Sequence, residues 1–360
     1  MSDATNWESV PLRDLFSFER GKEKNMALLK EGDLPLVSAR NVNNGVKVFV
    51  GNPTKTLSGG NVITLNNDGD GGAGLAYYQA YDFALDTHVT ALIPQNDISP
   101  EALLYMTASI SKQHDIFGHG RSISLPRAKR LQNMLPVNDD GAPDYELMTD
   151  YVKKLRKSML MRYKAHAIAN IKKLGEYLPV PSIQEMRWEP FLIADIFDIL
   201  PGKRLVAADS TPGNRPFIGA LDNNNGVARF VNDSNASLDK NVLGVNYNGN
   251  GMVIGFYHPY ECIFSDDVKR FHLKHHEDNA FVLLFMKVVI LQQKSKFGYL
   301  YKFNAERMAN TRIMLPVTDD GAPDYEYMEQ YAKNLMLRKY KQYLSYLDSK
   351  EKTDTVATDN

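Results

Sequence analysis

The chain has 360 residues, 43% apolar and 24% charged, the usage of a folded protein with room for more than one core. A formal net charge of −1 excludes a surface coated in basic charge, so any nucleic-acid contact must come from local clusters. A single cysteine, Cys262, excludes a disulfide framework and a thiolate zinc cluster. The absence of an apolar run near the roughly 20 residues that span a bilayer, and of a signal-peptide pattern, leads us to expect a cytoplasmic protein without membrane contact.

From Trp7 onward, short apolar runs (LPLVSA, VKVFV, NVITL, VTALIP) alternate with Asn, Gly and Asp clusters, the pattern of strands joined by loops. A short helix is expected around 100–112, then a strand ending in LPV. The DDGAPD stretch signals a turn and a helix start. Pro143 fits the first helical turn, and Asp144 and Glu146 put negative charge at the positive end of the helix dipole. No breaker follows until Gly175, and Met148, Val152, Leu155 and Met159 recur at helical spacing. Two prolines then stiffen the joint Leu178-Pro179-Val180-Pro181.

The whole unit recurs. NMLPVNDDGAPDYELMTDY at 133–151 returns as IMLPVTDDGAPDYEYMEQY at 313–331, and Trp7, Asp14, Phe16, Gly21 and Lys22 return as Trp188, Asp195, Phe197, Gly202 and Lys203. The NNGV of 43–46 returns at 224–227, and NVITLNNDGDG at 61–71 as NVLGVNYNGNG at 241–251. A second short helix is expected around 278–292 and a second long one from Pro323, carrying Met328, Ala332 and Leu335. Near-collinear spacing over the whole length means a duplicated domain, which favours a pseudo-twofold arrangement. Each long helix gives a rod of about 50 Å, more than one domain needs. The expected fold class is therefore α+β: two repeated β-rich domains, 1–142 and 178–322, separated by two long antiparallel helices, 143–177 and 323–350. The polar stretch 351–360 is expected to be a disordered tail.

Catalytic signals are weak. GDGGAG at 69–74 satisfies G-x-G-x-x-G, but a strand-like LAYYQAYDF follows where a dinucleotide site needs a helix, so a tight loop is the better account. The same stretch lacks the bidentate Glu of a calcium loop. Cys262 lies near His258 but in an apolar run, which suits a buried structural thiol. No metal site is expected, and the adjacent His275 and His276 suit a solvated loop.

Polar loops and local basic clusters remain. Lys112, His114, His119, Arg121, Arg127, Lys129 and Arg130 crowd one stretch, and Ser122 lies among them. The matching stretch of the second copy carries Lys287, Lys294, Lys296 and Lys302 interleaved with Phe297, Tyr299, Tyr301 and Phe303. Basic groups spaced by aromatics, Gly and Ser suit phosphate positioning and base-edge contact. Arg40, Asn41, Asn43 and Asn44, and Asn223, Asn224 and Asn225, bring amides able to read adenine, though Asn and Gly also simply form turns. Lys22, Lys203 and Arg204 follow a glycine after a strand and suit backbone contact. The first long helix carries a run of Lys and Arg with no acid between Asp150 and Glu176, a DNA-facing stripe or a protein dock. Flat overall charge suggests that a partner supplies much of any DNA affinity.

The duplicated Trp strand, the NNG and N-x-G-x-G loops, and the LPV-x-DDGAPDYE-x-M-x-x-Y block that opens a long helix together resemble the DNA specificity subunits of type I restriction–modification systems and the similar type IIB systems of the Bcg kind. The resemblance implies two target-recognition domains, each reading one half of a split double-stranded DNA site, with the helices setting the gap. It implies that the chain is not an enzyme and holds no cofactor. Adenine methyltransferase and restriction subunits would carry S-adenosylmethionine and magnesium and dock on the helices through positions such as Met148, Val152, Leu155, Met328 and Leu335. Gly118-His119-Gly120-Arg121 resembles the family's glycine-basic segment. Its counterpart is Gly298-Tyr299-Leu300-Tyr301-Lys302, a departure that implies different half-sites. The alternative is a scaffold or decoy that occupies a methyltransferase through the helices without reading DNA.

Overall fold

The Trp strand and the LPV strand, more than 120 residues apart, close each repeat by pairing with one another. The computed structural model describes residues 5–25, 28–57, 59–69, 72–118, 120–249 and 251–358, with side chains described as far as Lys350. Two units form, Met1–Tyr163 and Lys164–Asn360.

In the first unit the strands are β1 (Asn6–Pro11), β2 (Phe16–Arg20), β3 (Glu31–Val37), β4 (Val46–Val50), β5 (Thr56–Leu57), β6 (Val62–Asn66), β7 (Ala76–Gln79), β8 (Phe83–Leu85) and β9 (Val89–Pro94). Helices α1 (Pro100–Ser111) and α2 (Leu125–Arg130), strand β10 (Gln132–Val137) and helix α3 (Tyr145–Leu174) follow. One antiparallel sheet runs β2-β9-β6-β7, and a second runs β4-β3-β8-β5 with β3 and β8 parallel. Every residue of β6 is buried because both faces of the strand are covered. The main core joins Phe16, Ile63, Leu65 and Leu92 of the first sheet to Leu103 and Met106 of α1, Leu135 of β10 and Met148 of α3. Ser99 starts α1 by accepting from the Ala102 amide at 3.1 Å, with Pro100 in the first turn.

The second unit repeats the plan with β11 (Trp188–Leu192), α4 (Ile193–Ile196), β12 (Phe197–Pro201), β13 (Pro212–Ile218), β14 (Val227–Val231), β15 (Val242–Asn246), β16 (Gly255–His258), β17 (Ile263–Phe264), β18 (Val268–Leu273), α5 (Ala280–Leu291), α6 (Ala305–Asn310), β19 (Arg312–Pro316) and α7 (Tyr325–Thr358). Its sheets run β12-β18-β15-β16 and β14-β13-β17. The fold is thus mixed α and β, with the two short helices close to where spacing put them.

Three details depart from the sequence reading. Pro143 and Pro323 lie outside the long helices, bridged to Val137 and Val317, and the caps are Asp144 and Asp324. Their carboxylates accept from the Leu147 and Tyr327 amides at 2.9 Å each. The division between units falls inside α3 rather than at its ends. Within the second unit the last turns of α3 run antiparallel to α7: Lys164 reaches Asp348 at 3.4 Å, and Asn334 donates to the Leu178 carbonyl at 2.6 Å. Finally, α7 continues to Thr358, past the point where the chain was expected to fray. Loss of apolar periodicity does not stop a helix when no Gly or Pro follows.

Candidate nucleic-acid interface

Three loops of each unit are fastened together. The first is the NNG loop. Asn43, Asn44 and Gly45 take φ of 54, 53 and 78°, and Asn224, Asn225 and Gly226 take 48, 53 and 74°. Asn and Gly tolerate this left-handed run better than other residues. Asn44 Nδ2 donates to the Tyr78 carbonyl and to Gln79 Oε1, and Asn225 Nδ2 donates to the Tyr260 hydroxyl. Asn44 therefore shapes the loop instead of offering its amide N–H groups to a base. Asn41, Asn43, Asn223 and Asn224 are exposed, and Arg40 is half-buried with its guanidinium on the Val46 carbonyl at 3.4 Å.

The second loop follows β6 or β15 and leads into an antiparallel strand, β7 or β16, in keeping with a tight loop and not a nucleotide fold. Asn66 ends β6, fully buried, and its Nδ2 donates to the Arg40 carbonyl at 2.9 Å and the Gly72 carbonyl at 3.1 Å. Asn246 does the same in the second unit, donating to Leu221 at 2.6 Å and Gly251 at 3.1 Å. One buried amide thus ties the NNG loop to the glycine loop in both copies. The sequence reading missed it. Its signal was an Asn at the end of an apolar run in both repeats, hidden because Asn reads as a turn former.

The third loop is a hairpin. Gly118 bridges Arg121, and Gly298 bridges Tyr301. It seats on the glycine loop: the Ile123 amide donates to the Asn67 carbonyl at 2.6 Å, His114 Nδ1 meets the Ala73 carbonyl, and the Phe303 amide donates to Met252 Sδ at 3.2 Å. A Cβ on Gly74 (φ 84°) would stand 2.7 Å from the Phe117 ring. Arg127 Nη1 donates to the Ser122 carbonyl, and its counterpart Arg307 donates to the Lys302 carbonyl at 2.8 Å. Arg121, Ser122, Lys296, Tyr299 and Tyr301 are exposed and Lys302 is half-buried. His119 lies outside the described residues.

Lys22, Lys203 and Arg204 are exposed just beyond β2 and β12. The glycines before the lysines let the chain pass close to a neighbouring turn: a Cβ on Gly21 or Gly202 would come within 1.9 Å of the Asp86 or Ser265 carbonyl oxygen. Arg204 faces Asp266 at 3.6 Å.

The profile described as the type I restriction modification DNA specificity domain matches residues 4–160 and again 185–343. The chain belongs to that family. It is 39% identical over 335 residues to the type II restriction enzyme BgcI specificity subunit S.BcgI of Heyndrickxia coagulans, across 92% of this chain and 95% of that protein. Among solved structures, the type I system S subunit from M. genitalium matches 98% of this chain and 96% of its own at 14% identity, with a TM-score of 0.49. The HsdS subunit from Thermoanaerobacter tengcongensis matches 95% and 91% at 15% identity, with a TM-score of 0.32.

The helix positions of this specificity subunit fall into two groups. Met148 and Met328 are fully buried in their own cores, which corrects their assignment to a partner surface. Their helical spacing marked a buried face, and that face meets the unit's own sheet and short helix. Val152 and Leu155 instead line an open groove of about 960 Å³ in the first unit, walled by Trp7, Tyr105, Met134, Tyr151 and Met159. At the corresponding place in the second unit, Leu335 sits beside residues 177–185, with the Tyr327 hydroxyl donating to the Pro181 carbonyl at 3.2 Å.

Other candidate chemistry in the subunit is structural. Cys262 is fully buried, and burial chiefly pushes its thiol up to about 12. Burial, with Lys287 adding, pushes the His258 imidazole down to about 4. Among the described residues no group of three His, Cys, Asp or Glu is placed to hold a metal, and no helix is long and apolar enough to cross a membrane.

Proposed function

We propose that this specificity subunit reads a split double-stranded DNA target, one half with each unit, and delivers adenine methyltransferase and restriction subunits to it in the cytoplasm. The observation that carries the reading is the repeated triad of loops, tied in each unit by a buried asparagine and edged by exposed Lys, Arg and Asn. Fastened loops hold their side chains in place before contact, which reduces the ordering cost of binding. The chain itself makes no bond in this reading. S-adenosylmethionine and magnesium sit on the partner subunits, and the chain adds binding energy only at the right address. Each bidentate base contact discriminates by about 1–3 kcal/mol, so two loops suffice for about three or four bases per half. The apolar groove lined by Val152 and Leu155 is the docking place for a partner subunit. Family membership and the basic hairpins favour this over a decoy that reads no DNA.

Adenine methylation mapped across the genome of cells expressing the subunit with its native methyltransferase tests the reading. A two-part target is expected, and Arg121→Ala should relax one part and spare the other. An undivided target, or no methylation beside an active partner, overturns it.

A further inference from the structure

At the corner of the second unit's hairpin, Leu300 is 96% exposed and Tyr299 86%. Paired hydrogen bonds, Gly298 amide to Tyr301 carbonyl at 3.2 Å and the reverse at 3.0 Å, close a turn with these two residues at its tip. The first unit's hairpin has Gly120 (φ 77°) where Leu300 stands, whereas neither Tyr299 nor Leu300 takes a positive φ, so the second unit's turn accepts large side chains at both positions. A leucine held in water forgoes the gain from burial, and a small polar residue would serve the turn as well. Two large apolar side chains side by side at an exposed loop tip suit contact with a partner.

The base of the tip is stiff and positive. Phe297 stacks on Tyr301 at 5.7 Å, with rings 9° from parallel, and packs on the fully buried Phe303 at 4.5 Å. The Arg307 guanidinium also lies over the Tyr301 ring at 3.9 Å, and Lys302 Nζ lies 5.8 Å from the Tyr299 ring. Lys294 and Lys296 are exposed on the turn before, and the sequence from Lys294 to Asn304 contains no Asp or Glu. An apolar point on a cationic base matches a double helix, with phosphates outside and stacked bases within.

We propose that Tyr299 and Leu300 form a wedge that enters the base stack of the half-target read by the second unit, opening one step while Lys294, Lys296 and Lys302 hold the flanking phosphates. The inference rests on the DNA-reading function above and adds a second way of reading: the wedged step is selected for how easily it unstacks, which favours a pyrimidine–purine step. The first unit, with Gly120 at its tip, opens no step.

The test uses the full chain with its methyltransferase partner on duplexes of the mapped target, with 2-aminopurine placed at each position of both halves in turn. Binding should raise fluorescence at one step of one half. Leu300→Ala should abolish that rise and weaken binding about tenfold, while Leu300→Met keeps both. A base drawn out of the helix by the methyltransferase also brightens, but that signal survives Leu300→Ala. A complex that binds its target with no Leu300-dependent rise overturns the wedge. So does a thymine-to-uracil change that weakens binding as much as Leu300→Ala while no step opens, because the tip would then be touching a methyl group. Absence of any two-part target overturns the DNA-reading function itself.

Discussion

The first unit fastens its NNG loop with amides, the second with rings. Gln79 Nε2 donates to the Asn44 carbonyl at 3.2 Å and to Thr64 Oγ1 at 3.1 Å, while Asn44 donates back to Gln79 Oε1. At the equivalent register His258 replaces Gln79, Tyr260 supplies the hydroxyl that takes the Asn225 amide, and Gly244 replaces Thr64. That glycine makes room, since a Cβ there would stand 2.9 Å from the Phe264 ring and 3.2 Å from His258. Nearby, Arg270, Asp239, His272 and Asp278 form a chain of ion pairs, with Arg270 on Asp239 at 2.8 Å and His272 between both carboxylates. The first unit has Ala91, Ile93 and Ile98 at the places of Arg270, His272 and Asp278. The backbone path of the loops has been kept while the side chains around it changed, and at these three places the second unit carries charge where the first carries apolar side chains.

The two tryptophans, Trp7 and Trp188, fall one in each unit and report them separately. The largest effect should come from Asp239→Ala, which strands a buried Arg270. We expect a loss of about 3–5 kcal/mol in denaturant unfolding read by Trp188, with the Trp7 signal unmoved. If both signals shift together, the units are not independent. Asn66→Ala and Asn246→Ala should each cost about 1–3 kcal/mol and lose one half of the methylation target, a different half in each variant.

A pH series sharpens the contrast. Hydrogen bonding to Asp278, opposed by burial and helped by Asp239, raises His272 to about 9. Its contribution is therefore complete below the ordinary histidine value of 6.5 and is lost as pH rises through 9. His258, held near 4, acts in the opposite sense: its contribution is complete above 6.5 and is lost as pH falls toward 4. Stability read by Trp188 should peak near neutrality, and His258→Gln, the first unit's choice, should flatten the acid side. The smallest effect belongs to Lys22→Ala, which should lower the salt slope of DNA binding by about one and leave sequence preference intact.

Much of this was legible in the chain. The duplication, the short helices and the long-helix starts are local patterns, and local patterns survive folding. The pairing of β1 with β10 and the parallel contact of β3 with β8 join distant segments whose register no local spacing records. Pro143 lies two positions before Tyr145, the first helical residue, because its bridge to Val137 depends on where a strand ends. Met148 shows the limit of periodicity, which finds an apolar face without saying whether the protein itself covers it. For the loops, Asn43 and Asn44 were visible as a pair, but the donors of Asn44 are spent on Tyr78 and Gln79, which only the folded chain brings near.

The asparagine tethers grip carbonyl oxygens, and every amino acid has one. At the gripped position the first copy carries Arg40 and the second Leu221, and the clamp holds both alike. A clamp indifferent to identity lets mutation rewrite what a loop prefers, one letter at a time, without loosening the frame that presents it. Such a molecule is built to change its address and keep its shape.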